Sequence, residues 1–418
     1  MSHATPAATA GLTVIRAGRL IDGSGDAPLV DATIVVRGSR FESVLTGDAA
    51  RAMLESGASV IDQRDRTVLP GLIDSHVHLN LAADATPAEQ AVLEPAGALV
   101  AASATAAGIA LAGGITTVRD TGSYRDTAFE LRRAVERGWA TAPRLLLCGP
   151  PVTITGGHCW FFGGEADGVD GVRRRVRELV KAGADWIKVM GTGGGTPNTR
   201  PWLPAYTQEE LNAIVDEAHS RERKVTVHCL SSLAIGMAIT AGADQIEHAG
   251  FARDGHGGSE FDEAMADRMA ESGIYMSPTV SVRKFIMDHL VASDGSPDQI
   301  AAWQRRFDNG MEQFRRLYAA GVNFVTGTDA GWHRTPFDGI SEEMALISEC
   351  GPTAMETIVA TTSRTAALYN LGNEIGTVRA GLAADLIAVD GDPLTDLRAL
   401  RNIRMVMSGG ELRTSVAR

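Results

Sequence analysis

Leu69-Pro70-Gly71-Leu72-Ile73-Asp74-Ser75-His76-Val77-His78-Leu79 carries two imidazoles on one short apolar run that reads as a buried strand. Successive side chains on a strand point to opposite faces, so His76 and His78 point the same way. Two neutral imidazoles converging near a strand end make half of a divalent metal site, and borderline ions such as Zn2+ accept that ligand set readily. The rest of the chain must then supply the other ligands.

Further apolar runs each lead to a polar, ligand-capable residue: Asp185-Trp186-Ile187-Lys188-Val189-Met190-Gly191, Lys224-Val225-Thr226-Val227-His228-Cys229, Gln245-Ile246-Glu247-His248-Ala249-Gly250, and Asn323-Phe324-Val325-Thr326-Gly327-Thr328-Asp329-Ala330. Between His228 and His248, residues 231–243 are long enough for one helix and a turn, the βα spacing of a parallel sheet. The reading is therefore an α/β fold with a (β/α)8 TIM barrel, in which strand C-termini open on one mouth. That geometry would gather His76, His78, Lys188, His228, His248 and Asp329. Strands are expected at 115–120 and 145–149, then ending at Lys188, His228 and His248, then at 274–279 and ending at Asp329. Helices are expected over 87–111, over 208–221 after the N-cap Thr207, and over 283–319, a stretch that would cover the mouth.

The ends of the chain read differently. Residues 12–60 alternate short apolar runs with Gly, Asp and Arg, and the pattern returns at 375–378, 385–389 and 403–407 around a Gly391-Asp392-Pro393 turn. Strands at both termini around a βα repeat predict a small discontinuous β-sandwich domain. The expected division is 1–66 for its N-terminal part, 67–370 for the barrel and 371–418 for its C-terminal part.

With 418 residues and 44% hydrophobic content, the chain can bury one large core and a small accessory domain. A formal net charge of -12 argues against nucleic acid or an anionic membrane as partner. No apolar run of about 18 residues is present, and residues 1–10 lack the basic and apolar regions of a secretory signal. Cys148, Cys159, Cys229 and Cys350 form no C-x-x-C pair, which suggests reduced thiols and a cytoplasmic protein. His3, His219, His256 and His289 have no ligand-like context and read as surface residues.

The order His-x-His, Lys, His, His, Asp, within Pro-Gly-Leu-Ile-Asp-Ser-His-Val-His, Ile-Glu-His-Ala-Gly and Gly-Thr-Asp-Ala-Gly, resembles the metal-dependent amidohydrolase superfamily over nearly the whole chain. Within it, the branch with prolidase-like and imidazolonepropionase-like enzymes is most similar. The resemblance implies two divalent metal ions, most naturally Zn2+, one on His76 and His78 and the other on His228 and His248. It also implies a carbon dioxide-derived carbamate on Lys188 bridging them. The bland alternative for this lysine, flanked by Trp186, Ile187, Val189 and Met190, is an ion pair with Asp120 or Glu247. Asp329 would ligate a metal and carry the proton of the attacking water. The relatives are commonly homo-oligomers, and the implied substrate is a small-molecule amide.

The glycine-rich segment 153–164 contains His158, a candidate to polarise the scissile carbonyl, and Trp160, a candidate substrate contact. Prolidase-like relatives often carry a tyrosine soon after the fifth-strand histidine. Here Cys229-Leu230-Ser231-Ser232 has none, which leaves Leu230 as the candidate contact there and opens the choice among an N-acyl amino acid, an Xaa-Pro-type dipeptide and an aryl amide. Arg119, Arg200, Tyr206, Arg283 and His333 are each candidates to bind a carboxylate. Two other readings are a mononuclear hydrolase of a cyclic amide or imidazolone, with Lys188 a structural cation, and a non-catalytic assembly protein of the same fold.

Overall fold

A computed structural model describes residues 11–254 and 258–414. His3, His256 and the first ten residues therefore lie outside the described part. Its strands, in chain order, are β1 (Leu12–Leu20), β2 (Leu29–Arg37), β3 (Arg40–Leu45), β4 (Ser59–Pro70), β5 (Leu72–Val77), β6 (Ile115–Asp120), β7 (Arg144–Leu147), β8 (Trp186–Met190), β9 (Lys224–His228), β10 (Gln245–Glu247), β11 (Tyr275–Ser277), β12 (Asn323–Phe324), β13 (Leu386–Val389), β14 (Ile403–Ser408) and β15 (Glu411–Thr414). The chain divides into two compact units, one taking residues up to 73, 110–117 and from 353 onward, the other 74–109 and 118–352.

The first unit draws its strands from both ends of the chain, in the order β15-β14-β13-β4-β1-β2-β3. Pairing is antiparallel except between β1 and β4, where Ile15 lies opposite Ile61. These strands form one seven-stranded sheet, and Arg40 at its far edge bridges Ala383 just before β13, so the sheet curls. Ile15, Leu20, Ile34, Phe41, Leu386 and Met405 fill its core. The strand expected at 375–378 is a turn instead. Gly376 has φ 94°, which breaks extension, and the Val378 N–H donates to Asp22 O at 2.8 Å.

The second unit alternates strand and helix. Its five-stranded sheet runs β12-β11-β10-β9-β8, every neighbouring pair parallel, and β5-β6-β7 form a separate three-stranded sheet. Helices Gly168–Ala182, Gln208–His219, Ser232–Ala241 and Glu263–Ser272 separate successive strands from β7 to β11. Their starts are written in the sequence: the Thr207 and Glu210 side chains form a capping box, and Ser231 and Asp262 each accept a first-turn N–H.

One helix-to-strand device occurs twice. Ala182-Gly183-Ala184-Asp185 and Ala241-Gly242-Ala243-Asp244 each end a helix on a glycine at φ 105° or 82°. The aspartate then accepts the N–H of a residue in the preceding strand, Leu147 or Val225, at 2.8 Å. Three residues past each aspartate stand Lys188 and Glu247.

Two expected helices are broken, each with a proline where the second piece starts. The span 87–111 becomes Ala88–Ala91 and Ala96–Ala112, because the residue before Pro95 is pushed out of helical geometry. The span 283–319 becomes Ser281–Ala292 and Pro297–Ala319, the latter restarted by a Ser296–Gln299 capping box with Pro297 in its first turn.

Candidate metal centre

The strand ends of the second unit carry the histidines to one place. His76 and His78 lie at the end of β5 and just beyond it, His228 is the last residue of β9, and His248 follows β10. Two positions differ from the sequence reading. Lys188 sits in the middle of β8 rather than at its end, and β12 stops at Phe324, so Asp329 lies on the segment beyond it. All six nevertheless line a single cavity of about 340 Å³, together with His158 and Leu230.

The spacing inside it is tight. Ring centroids are 5.3 Å apart for His76 and His78, 5.2 Å for His76 and His248, and 4.6 Å for His228 and His248. Asp329 Oδ1 lies 3.4 Å from His76 Nε2 and 3.3 Å from His78 Nε2. His76, His248 and Asp329 each offer a ligand atom within 4.8 Å of the others.

Partners behind the rings fix which nitrogen is free. His76 Nδ1–H donates to Glu247 Oε2 at 2.8 Å, and His78 Nδ1–H donates to Gly122 O at 3.0 Å, which leaves both Nε2 lone pairs available. His228 is turned the other way: its Nε2–H donates to Gly193 O at 3.2 Å, freeing Nδ1. His248 Nδ1 meets Thr279 Oγ1 at 2.6 Å. Burial holds His76, His228 and His248 below the ordinary imidazole range, so they are neutral and able to ligate. For Asp329, burial alone would raise the carboxyl, but the His76 and His78 side chains outweigh it and keep the group ionised.

His248 and Asp329 both adopt left-handed backbone, φ 69° and 60°, a conformation costing a non-glycine residue about 1–3 kcal/mol. It is held by hydrogen bonds from His248 N–H to Ser277 O at 2.8 Å and from Asp329 N–H to His76 O at 2.7 Å. Strain of this kind concentrates where side-chain aim matters more than backbone comfort.

Lys188 is 1% exposed, and burial pushes its amine below the usual lysine range. Neither suggested ion pair forms, since among the described residues no hydrogen bond or carboxylate within 4 Å meets its Nζ. Asp120 instead accepts from the N–H groups of Leu79 and Gly122 and from the Ser123 hydroxyl. Glu247 is engaged by His76, by Arg119 Nη2 at 2.5 Å and by the Thr226 hydroxyl at 2.5 Å. Burial would raise Glu247, yet His76, Arg119 and Lys188 bring it well below the carboxylate range.

That network corrects Arg119 as a substrate contact. Its guanidinium is fully buried, donates to Ser75 O, Gln245 Oε1 and Glu247, and lies 4.5 Å from the Trp186 ring centroid. Tyr206 is also spent, its hydroxyl donating to Ala166 O at 3.0 Å, and Arg200 does not line the cavity. Nor does Trp160: it is 45% exposed on a short turn, packing against Phe161 while Phe162 stacks beneath His78. The apolar wall is built from Met190, Leu230, Val282, Ile286, Trp303 and Trp332. Sequence reasoning missed Trp303 and Trp332, whose signal was only their presence in segments flanking the mouth.

The chain belongs to the amidohydrolase family, matched over residues 67–413. It is 29% identical to ochratoxinase of Aspergillus niger over 445 aligned positions, spanning 96% of this chain and 86% of that protein. Among solved structures it is similar to a Xaa-Pro dipeptidase with methionine bound in its active site, at 30% identity and TM-score 0.83, covering 96% of this chain and 99% of that one. A prolidase complexed with N-methylphosphonate-L-proline matches at 28% identity and TM-score 0.81, covering 96% and 99%. The family is metal-dependent, and this member is a hydrolase acting on amide C–N bonds. No helix among the described residues is long and apolar enough to cross a membrane.

Proposed function

We propose that the chain is a binuclear metal-dependent amidohydrolase of a small-molecule amide, its two sheets β5–β7 and β8–β12 closing as a (β/α)8 barrel. The parallel bridges Val77–Ala330 and Val152–Val189 support that closure. His76 and His78 would hold one ion and His228 and His248 the other, and the Lys188 amine, carboxylated by carbon dioxide with loss of a proton, would supply anionic oxygen ligands beside them. The observation that carries this reading is the Lys188 amine, lowered by burial and without a carboxylate or hydrogen-bond partner among the described residues, in the cavity lined by His76, His78, His228, His248 and Asp329. Nitrogen and oxygen donors of this kind suit Zn2+.

When bound, the two ions would polarise the scissile carbonyl and acidify water towards neutrality. Asp329, ionised and beside both His76 and His78, accepts the proton of the attacking water and returns it to the departing nitrogen. His158 supports the carbonyl oxygen as a neutral donor. Burial brings it down to about 3, Thr196 Oγ1 lies 2.7 Å from its Nδ1, and the Cys159 sulfur lies 3.6 Å from its Nε2. Leu230 and Trp332 offer apolar surface to the acyl or aryl group.

The Xaa-Pro dipeptidase and the prolidase among the similar structures support an Xaa-Pro-type dipeptide, an N-acyl amino acid carries the same carboxylate, and aryl amides are the neutral comparison. Zinc-loaded protein incubated with these three groups should release amine from at least one, and treatment with a chelator should abolish the release. Cleavage of imidazolones or cyclic amides alone would favour the mononuclear reading, and no cleavage of any amide would overturn the proposal.

A further inference from the structure

We infer that Arg283 and Arg306 form the site that receives the substrate's carboxylate, selecting N-acyl amino acids over neutral amides; this rests on the amide-hydrolase reading above. The cavity around the histidines adjoins a second of about 470 Å³, and the two share Gly195, Leu230, Arg283 and Arg306 in their linings. Any substrate reaching from the histidines into the outer chamber passes these two cations.

Among the described residues, no carboxylate lies within 4 Å of either guanidinium, and neither donates a hydrogen bond. The surrounding acids are spent elsewhere. Glu343 accepts the N–H groups of Val280 and Ser281 at 3.0 and 2.7 Å, and burial raises its carboxyl to about 7. Asp329 sits against His76 and His78, and Asp254, in the outer chamber, accepts from Gly258 N–H at 3.2 Å. Arg306 rests over Trp303, 4.8 Å from its ring centroid, so its planar fork is held by stacking. Arg283 is packed against Gly310, where a Cβ would come 3.2 Å from its Nη1. The glycine leaves room for the guanidinium.

Arg283, with no carboxylate or hydrogen-bond partner among the described residues, and the exposed Arg306 present two cations to the same cavity in a chain of net charge -12, and together they attract an anionic group on the substrate. A carboxylate takes the bidentate bonds that Arg offers, and the wall of Ile286, Trp303 and Trp332 accepts the adjoining apolar side chain.

The test compares N-acetyl-phenylalanine with N-acetyl-phenylalaninamide, in wild type, Arg283→Met, Arg306→Met and Arg283→Lys. The wild type should favour the carboxylate by tenfold or more in kcat/KM at its acyl amide bond. Arg283→Met should lose about 10- to 100-fold on it, chiefly through KM, with a much smaller loss on the carboxamide, while Lys recovers part. Equal losses on both ligands, or no preference in the wild type, would overturn the inference while leaving amide hydrolysis standing. Calorimetric titration of both compounds into metal-free protein gives a readout independent of turnover. Tighter binding of the carboxylate that disappears in Arg283→Met supports the site even if neither amide is cleaved, and equal binding overturns it.

Discussion

Glu247→Gln removes one charge from the centre of the network beneath the metal site and leaves the shape almost unchanged. In the wild type that carboxylate accepts from Arg119, Thr226 and His76, and all four side chains are essentially buried. The substitution removes the anionic partner of the Arg119 guanidinium, whose bonds to Ser75 O and Gln245 Oε1 go to neutral acceptors. Breaking a buried pair from one side costs about 3–5 kcal/mol, a large share of the roughly 5–15 kcal/mol that holds a domain folded. At about 2 °C per kcal/mol for a unit of this size, melting should fall by roughly 6–10 °C. The same change removes the anion that orients His76 and raises its basicity, so metal affinity should drop about 10- to 100-fold. Thermal melts of metal-free and zinc-loaded protein, with competitive zinc titration, measure both numbers. A melting temperature within about 2 °C of wild type and unchanged zinc affinity would refute the reasoning, because the pair would then contribute to neither.

Other substitutions separate chemistry from architecture. His158→Ala should lower kcat by about 10²- to 10³-fold with metal content unchanged, since the side chain faces the substrate carbonyl in this account; lost metal would make it a ligand instead. Trp160→Ala should change kcat/KM less than about threefold, whereas Trp332→Ala, beside His78 and His158 in the cavity wall, should raise KM about tenfold. The reverse order would restore Trp160 as the substrate contact. Glu217 joins two outer helices through Arg177, Arg173 and Arg221, and the Arg177 hydrogen bonds, against opposing burial, hold its carboxyl below 4.5. Its stabilisation is therefore complete above about pH 4.5 and lost as pH falls through the lowered native value. Glu217→Gln should cost about 1–3 kcal/mol at pH 7 in urea unfolding, with the gap to wild type closing towards pH 3; a constant gap would refute the pairing.

The parts of this molecule that repeat a local rule were legible in the chain. Strand 115–120 follows directly from its apolar run, the helix at 208–219 from its capping box, and the convergence of the histidines from their recurrence near strand ends. The proline breaks at Pro95 and Pro297 were also written locally but lay inside long helix-forming spans whose propensity outweighed them in the reading. Other features depend on partners distant in sequence. Arg119 looked like a free cation because Glu247, which takes it, lies 128 residues away. Trp160 looked like a pocket wall because nothing in a glycine-rich loop encodes which aromatic ring turns inward, and Phe162 does so in its place. The curl of the terminal sheet rests on the bridge between Arg40 and Ala383, more than 300 residues apart, and alternation within single strands carries no trace of it.

The claim on which the account turns is that Lys188 joins two metal ions. Elemental analysis of zinc per chain, on wild type and Lys188→Ala purified alike in the presence of bicarbonate, tests it most directly. The account predicts about two equivalents in the wild type and a clear fall, with loss of activity, in the variant. One equivalent in both, with activity retained, would contradict it.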